Sequence, residues 1–320
     1  MPQELTSKLA EELWSDITTD DSFPSARPLL AHYTSVATLE QMIKNDEIWF
    51  SNPLYMNDLE ELRFGMNEGA AAFRTSKDLW NACADNERHA KLIYYFDYLF
   101  NEFDSKHAFD TYVMCLAEHK SDDNDGVLSM WRGYGANASG VAIVFDTSKV
   151  QATGEFPLIV DKVHYASPDE RRQWINDKVK RIAQFVASNE LDDADLHAVA
   201  HYWIERLKLF ALFTKHSGFE EEREWRIVYM SERDTNNKLK GMLGYAITGR
   251  GVEPKLKLKV KPLDGAVDAD LSLETLVDRI ILGPSISTRL AATAMGRILE
   301  MNGKPGLIAK IAASSIPFRP

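Results

Sequence analysis

Residues 32–51, HYTSVATLEQMIKNDEIWFS, carry two periodicities back to back. Leu29 and Leu30 lead into His32, Tyr33 and Thr34, an apolar run that reads as the end of a strand spanning about 29–34. Ser35 stands where an N-cap belongs, and Leu39, Met42 and Ile43 then recur at helical spacing, which predicts a helix over 36–45. The segment EIWFS returns to strand at 47–51, and Pro53 stops it. A strand, a short helix and a second strand within some two dozen residues point to an α+β protein.

Working outward, the remaining elements do not alternate regularly. Residues 3–15 predict a helix, and TTDDSFPSARP (18–28) a linker, so residues 1–28 read as an N-terminal helix and linker. Helices are expected at 59–73 and 77–103, with Asp58 near the N-cap of the first. Strands are expected at 111–118, 139–146 and 157–165, followed by a helical insert at about 168–216. Further strands read at 224–230, 243–248, 255–261 and 277–282, then a helix at 286–301 and a strand at 306–311. One catalytic α+β domain over 29–320, carrying the helical insert, is the simplest division.

The 320 residues include 45% hydrophobic side chains and two cysteines, Cys83 and Cys115, which argues for an ordered core without a disulfide framework. No apolar run is long enough to span a bilayer, and the N-terminus lacks a basic start with a continuous apolar core, so a cytoplasmic protein with no membrane partner is expected. A formal charge of −11 disfavours a protein that coats nucleic acid, although not a catalytic encounter with it. The basic stretches ERRQWINDKVKR (170–181) and KLKLKVK (255–261) read as solvated faces.

Four constellations carry candidate chemistry. His32 ends an apolar strand; with one ring nitrogen held by backbone, the other can meet a ribose hydroxyl. The polar cluster SNPLYMND (51–58) offers Ser51, Asn52, Asn57 and Asp58 either to a sugar or phosphate, or to turns and a helix cap. Trp131, Arg132 and Tyr134 sit among Gly133, Gly135 and Gly140, where aromatics can stack on a ring and an arginine can pair with a pyrophosphate. In EEEREWRIVYM (220–230), strand alternation would put Glu222, Glu224 and Arg226 on one face and Trp225 with Ile227 on the other. His197, His201 and Glu205 have a metal-compatible spacing, but Ala198 stands where a zincin needs glutamate, and no metal is assigned. The glycines do not form a GxGxxG fingerprint, and neither a GK[ST] phosphate loop nor a GxSxG elbow occurs.

The ordered series HYTS, IWFSNP, MND, CLAE, MWRGYG, GVAIVFD and EREWRIV resembles, over about 30–230, a bacterial family called domain of unknown function 2971. Its first block is also similar to the opening of bacterial toxin ADP-ribosyltransferases, whose NAD site starts at a histidine. That resemblance implies a split β-sheet core with helical insertions, NAD as substrate, and a nucleic-acid or protein acceptor. It implies His32 on the nicotinamide ribose, Tyr134 or Tyr33 stacked on nicotinamide, Glu224 as the catalytic acid and Glu222 as the first member of the E-x-E pair. The residues expected around NAD are His32, Tyr33, Thr34, Ser51, Asn57, Trp131, Arg132 and Tyr134. One departure is that the middle block matches neither the Ser-Thr-Ser strand of one transferase class nor the plain tyrosine of the other. Similar systems are toxins checked by an antitoxin protein, often in phage defence. The alternatives are a non-catalytic nucleotide- or protein-recognition module and a metal-dependent nuclease.

Overall fold

The computed structural model describes residues 1–17, 29–56, 59–150, 156–249, 251–262 and 270–318. Its strands are β1 Leu29–Thr34, β2 Glu47–Ser51, β3 Thr111–Glu118, β4 Val141–Asp146, β5 Leu158–Lys162, β6 His164–Ala166, β7 Thr214–His216, β8 Glu224–Met230, β9 Leu243–Thr248, β10 Gly251–Lys259, β11 Val277–Leu282 and β12 Ile311–Ala313. Its helices are α1 Gln3–Trp14, α2 Val36–Asn45, α3 Leu59–Thr75, α4 Lys77–Ala82, α5 Asn86–Glu102, α6 Leu128–Gly133, α7 Pro168–Ser188, α8 Asp193–Phe213, α9 Leu273–Leu276 and α10 Arg289–Met301. The fold is α+β, with a large and mostly antiparallel sheet. Among the described residues, no helix is long and apolar enough to cross a membrane.

The chain divides into two compact units. One gathers Met1–Thr19, Pro53–Thr111 and Val163–Glu220; the other gathers Asp20–Asn52, Tyr112–Lys162 and Glu221–Pro320. The first is helical. The insert expected at 168–216 is the pair α7 and α8, each opened by a reciprocal cap, Ser167 with Glu170 and Asp192 with Asp195. Close backbone approach fixes how α3 meets α8: a Cβ on Gly65 would lie 2.7 Å from Ala211 Cβ. The C-terminal end of α1 is closed by two cations, because Lys178 Nζ and Arg206 Nε donate to the Leu13 carbonyl at 2.9 and 3.0 Å. Asp16 holds both cations, at 2.8 Å from Lys178 and 3.0 Å from Arg206.

The second unit is the sheet, ordered β12-β11-β4-β1-β3-β2-β10-β9, with β8 also on β3 and β5 on β8. Strand β12 runs parallel to β11 through Ile280↔Ile311, whereas β1, β2, β9, β10 and β11 each pair antiparallel with their other neighbours. Alternation sorts its side chains: Leu30, Phe50, Met114, Leu116, Trp225, Tyr229, Leu256 and Ile280 enter one apolar cluster. On the other side of β1, Ala31 and Tyr33 pack with Trp131, Ala142 and Ile281.

Three sequence expectations need correction. The single helix at 77–103 is two, because Ala84 adopts φ 64° and Asp85 accepts from the Arg88 amide to start α5. The strand expected at 157–165 breaks at Val163, and β6 leaves the main sheet to pair with β7. Of residues 306–311, expected as strand, only Ile311 is one; the rest belong to a 3-10 turn, Pro305–Lys310, that delivers the chain to β12. The expected linker at 18–28 and the cap residue Asp58 lie outside the described residues.

Replacing Gly65 by valine should force α3 off Ala211 and destabilise the helical unit by about 1–3 kcal/mol, read as a lower denaturant midpoint. An unchanged midpoint would show that the α3–α8 contact is looser than described.

Candidate functional site

Strand β3 has more neighbours than edges. Successive residues of an extended strand turn their peptide groups to opposite edges. The Glu118 amide donates to Arg223 O at 3.0 Å, whereas the next amide, His119, donates to Leu29 O at 3.0 Å. Even-numbered residues of β3 therefore address β8, and odd-numbered ones address β1. The Tyr112 ring lies 6.3 Å from that of Tyr229, and the Trp225 indole donates to Glu118 Oε1 at 3.2 Å, so β8 follows the even edge along its length. The odd edge is shared. Strand β1 takes one end of it (Leu30↔Glu118, Ala31↔Ala117) and β2 takes the other (Ser51↔Val113).

Cys115 falls in the fork between them, and its carbonyl is met by His32 Nδ1 at 2.9 Å. A carbonyl only accepts, so Nδ1 carries the proton and a neutral ring presents Nε2 as an acceptor. Nε2 has no hydrogen-bond partner among the described residues. Burial, together with the nearby charge of Lys255, lowers the His32 pKa below its usual value and favours this neutral form.

Beside the fork lies a buried polar network. Ser51 pairs across strands with Lys255. Lys255 Nζ donates to Ser51 Oγ at 2.8 Å and to Glu253 Oε2 at 3.1 Å, while Thr248 donates to Glu253 Oε1 at 2.8 Å. Glu253 and Lys255 are buried, although KLKLKVK (255–261) reads in the sequence as a solvated face. A companion pair lies on β8, where Arg226 donates to Glu224 through Nε at 2.7 Å and Nη2 at 3.2 Å, both residues being buried. These charges alternate with the apolar residues Leu256, Trp225 and Tyr229, so they occupy the opposite face of their strands.

The third element is Tyr134, whose hydroxyl donates to Glu222 Oε1 at 3.1 Å. The loop beyond it winds left-handed through Ala136 (φ 49°), Asn137 (φ 51°) and Ala138 (φ 66°), a conformation costly for residues with a Cβ. Hydrogen bonds hold the turn: Ala138 N–H to Trp131 O at 2.9 Å and Gly140 N–H to Gly135 O at 2.8 Å. Gly140 is required there, since a Cβ would stand 2.2 Å from Thr34 O. Glu222 does not share the strand alternation expected for it. It ends the 3-10 turn Ser217–Glu222, and Arg223, at φ 41°, resets the backbone before β8 begins.

The expected NAD-facing residues divide. His32 and Ser51 lie at or beside the fork, and Tyr134 meets Glu222, but Tyr33 and Trp131 belong to the core. Tyr33 packs edge-on against Trp131 at 4.8 Å, accepts the Val127 amide at 3.0 Å, and burial pushes its hydroxyl pKa up to about 12. Trp131 is fully enclosed, with its indole N–H on Asp125 O at 2.8 Å. Arg132 is exposed with its guanidinium over Phe318, Thr34 closes β1 half-buried, and Asn57 lies outside the described residues. Sequence reasoning missed Cys115, Glu253 and Lys255. For the last two the available signal was Glu-x-Lys at strand spacing. His197 packs against Tyr95 and Glu205 pairs with Lys208; among the described residues no three His, Cys, Asp or Glu side chains are grouped to hold a metal ion.

The family model described as "Protein of unknown function (DUF2971)" matches residues 130–227. The match takes in Tyr134, Glu222, Glu224 and Arg226 and supports the family resemblance over that stretch, but it does not reach His32. No curated protein and no solved structure matches the chain.

Because the folded-state pKa of His32 is lowered, the folded protein binds that proton less readily than the unfolded chain. The resulting contribution to stability is complete above the ordinary histidine value of about 6.5 and declines as pH falls from there towards the lowered value. His32→Asn, which keeps a donor but does not titrate, should flatten that decline in urea midpoints measured between pH 7.5 and 5. An identical decline in the variant would assign it to another group.

Proposed function

We propose that this protein is an ADP-ribosyltransferase that uses NAD as substrate and passes ADP-ribose to a nucleic-acid or protein acceptor. The observation that carries this reading is the fork. A split sheet edge with a histidine locked by backbone, and its acceptor nitrogen without a hydrogen-bond partner among the described residues, suits recognition of a ribose hydroxyl. Glu224 lies on the strand across β3 and Glu222 on the turn that leads into it, and Tyr134 is the aromatic of the expected set that keeps partial exposure while touching Glu222. That combination fits nicotinamide stacking by Tyr134 rather than by the enclosed Tyr33 or Trp131.

In this reading His32 Nε2 accepts a hydroxyl of the nicotinamide ribose. The Glu224 carboxylate, clamped by Arg226, favours positive charge on the anomeric carbon of the same sugar. The carbon–nitrogen bond breaks, and nicotinamide leaves with the electron pair. The acceptor's nucleophilic atom then bonds the anomeric carbon, and its proton passes to Glu222. The arginine clamp serves preorganisation, since a carboxylate already fixed does not reorganise during the reaction. In the cell, the resemblance suggests a toxin or phage-defence effector held by an antitoxin protein.

The near-complete burial of Glu224 favours a second reading, a non-catalytic module that recognises nucleotides. Incubation of the protein with NAD labelled in its adenosine half, beside separate pools of RNA, DNA and protein, distinguishes the two. Transfer of label into one pool, reduced about 100-fold or more by Glu224→Gln, is expected of the transferase. Binding of NAD without release of nicotinamide would leave the recognition module. Absence of both would end the NAD reading.

A further inference from the structure

Lys255 is held more firmly than a surface lysine on a strand. Its ammonium has three protons, and two are committed, to Ser51 Oγ and Glu253 Oε2. Glu253 is itself fixed by Thr248, so the cation's position is set from two sides. Buried ion pairs seldom add net stability, because desolvating two charges offsets their attraction. A lysine 8% exposed and a glutamate 2% exposed are therefore better explained by what they hold in place. Ser51, having accepted from Lys255, keeps its own hydroxyl proton, and Lys255 keeps its third N–H.

The topology sets these donors beside the fork. Lys255, Ser51 and Val113 are cross-strand partners at one level of the sheet. Cys115, which anchors His32, is two residues along β3, or roughly 6–7 Å at strand rise. The proximity of the Lys255 charge to the imidazole agrees with that placement. The fork thus brings an acceptor at His32 Nε2 and two donors, at Ser51 and Lys255, one of them cationic, to neighbouring positions of the sheet.

We propose that Lys255, presented by Glu253 and Ser51, is an anion-recognising residue for a ribosyl phosphate whose hydroxyl is read by His32. This rests on the fork being the ligand-binding face, as in the transferase reading, but not on any transfer step. The ligand class is a phosphorylated ribose: the sugar hydroxyl donates to His32 Nε2, and a phosphate oxygen accepts from Lys255 and Ser51. A nucleoside satisfies the first contact and leaves the cation unanswered.

The test is calorimetric titration of the full chain with adenosine, AMP and ADP-ribose. Wild type should bind AMP and ADP-ribose about 10- to 100-fold more tightly than adenosine, the range of a charge-assisted hydrogen bond. Lys255→Met should erase most of that ratio while leaving adenosine binding in place. Lys255→Arg should retain it, and Ser51→Ala should reduce it by a smaller factor. Because Lys255→Met leaves Glu253 without its cation, thermal melting accompanies each titration. If the single variant does not fold, the neutral pair Glu253→Gln/Lys255→Met carries the same comparison. A ratio unchanged in a folded Lys255 variant overturns the proposal, as does failure of wild type to bind any of the three. If NAD is cleaved while the ratio ignores Lys255, this proposal fails and the transferase reading stands.

Discussion

One hydrogen bond, from the His32 imidazole to the Cys115 carbonyl, sits where two strands, β1 and β2, share one edge of β3. Without a donor there, the fork between β1 and β2 would leave a main-chain acceptor of β3 exposed to solvent or unsatisfied. With it, β1 can part from β3 after Ala31, and β2 can join at Val113. The strands that bear Ser51 and Lys255 thereby reach the same place as the histidine. A side chain has taken over a ladder position, and the groups around it follow from that substitution.

The charged pairs on β8 and β10 share one construction. Each places acid and base two residues apart on a strand, Glu224 with Arg226 and Glu253 with Lys255, so both side chains emerge on one face and meet without a loop between them. The apolar residues between them face the core, which makes each strand the boundary between a greasy side and an ionic one. Such pairs are poor sources of stability and good sources of fixed geometry. The left-handed turn at Ala136–Ala138 belongs with them, since it holds costly backbone next to Tyr134.

Much of the sheet was legible from residues alone. Strands β1, β2, β3, β8 and β11 fall where period-two patterning puts them, and Ser35 caps α2 as its position requires. Those signals are local. The shared edge of β3 is not, because no short window of sequence says which strand will pair with which half of another. Lys255 reads as solvated because alternating charge usually is, and nothing in EPKLKLK announces a neighbour such as Ser51 two hundred residues earlier. Ala84, Ala136 and Ala138 were opaque for a different reason: alanine in a left-handed conformation carries no sequence mark, unlike Asn137 between the last two. Glu222 lost its expected alternation to Arg223, one residue of backbone that sequence patterning treats as ordinary strand.

The fork also couples inheritance of fold and of chemistry. In most sheets a ligand-contacting side chain can drift while the ladder beneath it stays intact, since amides and carbonyls do not depend on residue type. Here position 32 is read by the backbone of β3 through Nδ1 and, in the function proposed above, a second time through Nε2. A descendant that abandoned the ligand would still have to keep a donor of similar reach, and one that rebuilt the ladder would lose its acceptor. On that proposal, histidine would persist at this junction even if the activity were lost, because the sheet requires it as much as the reaction would.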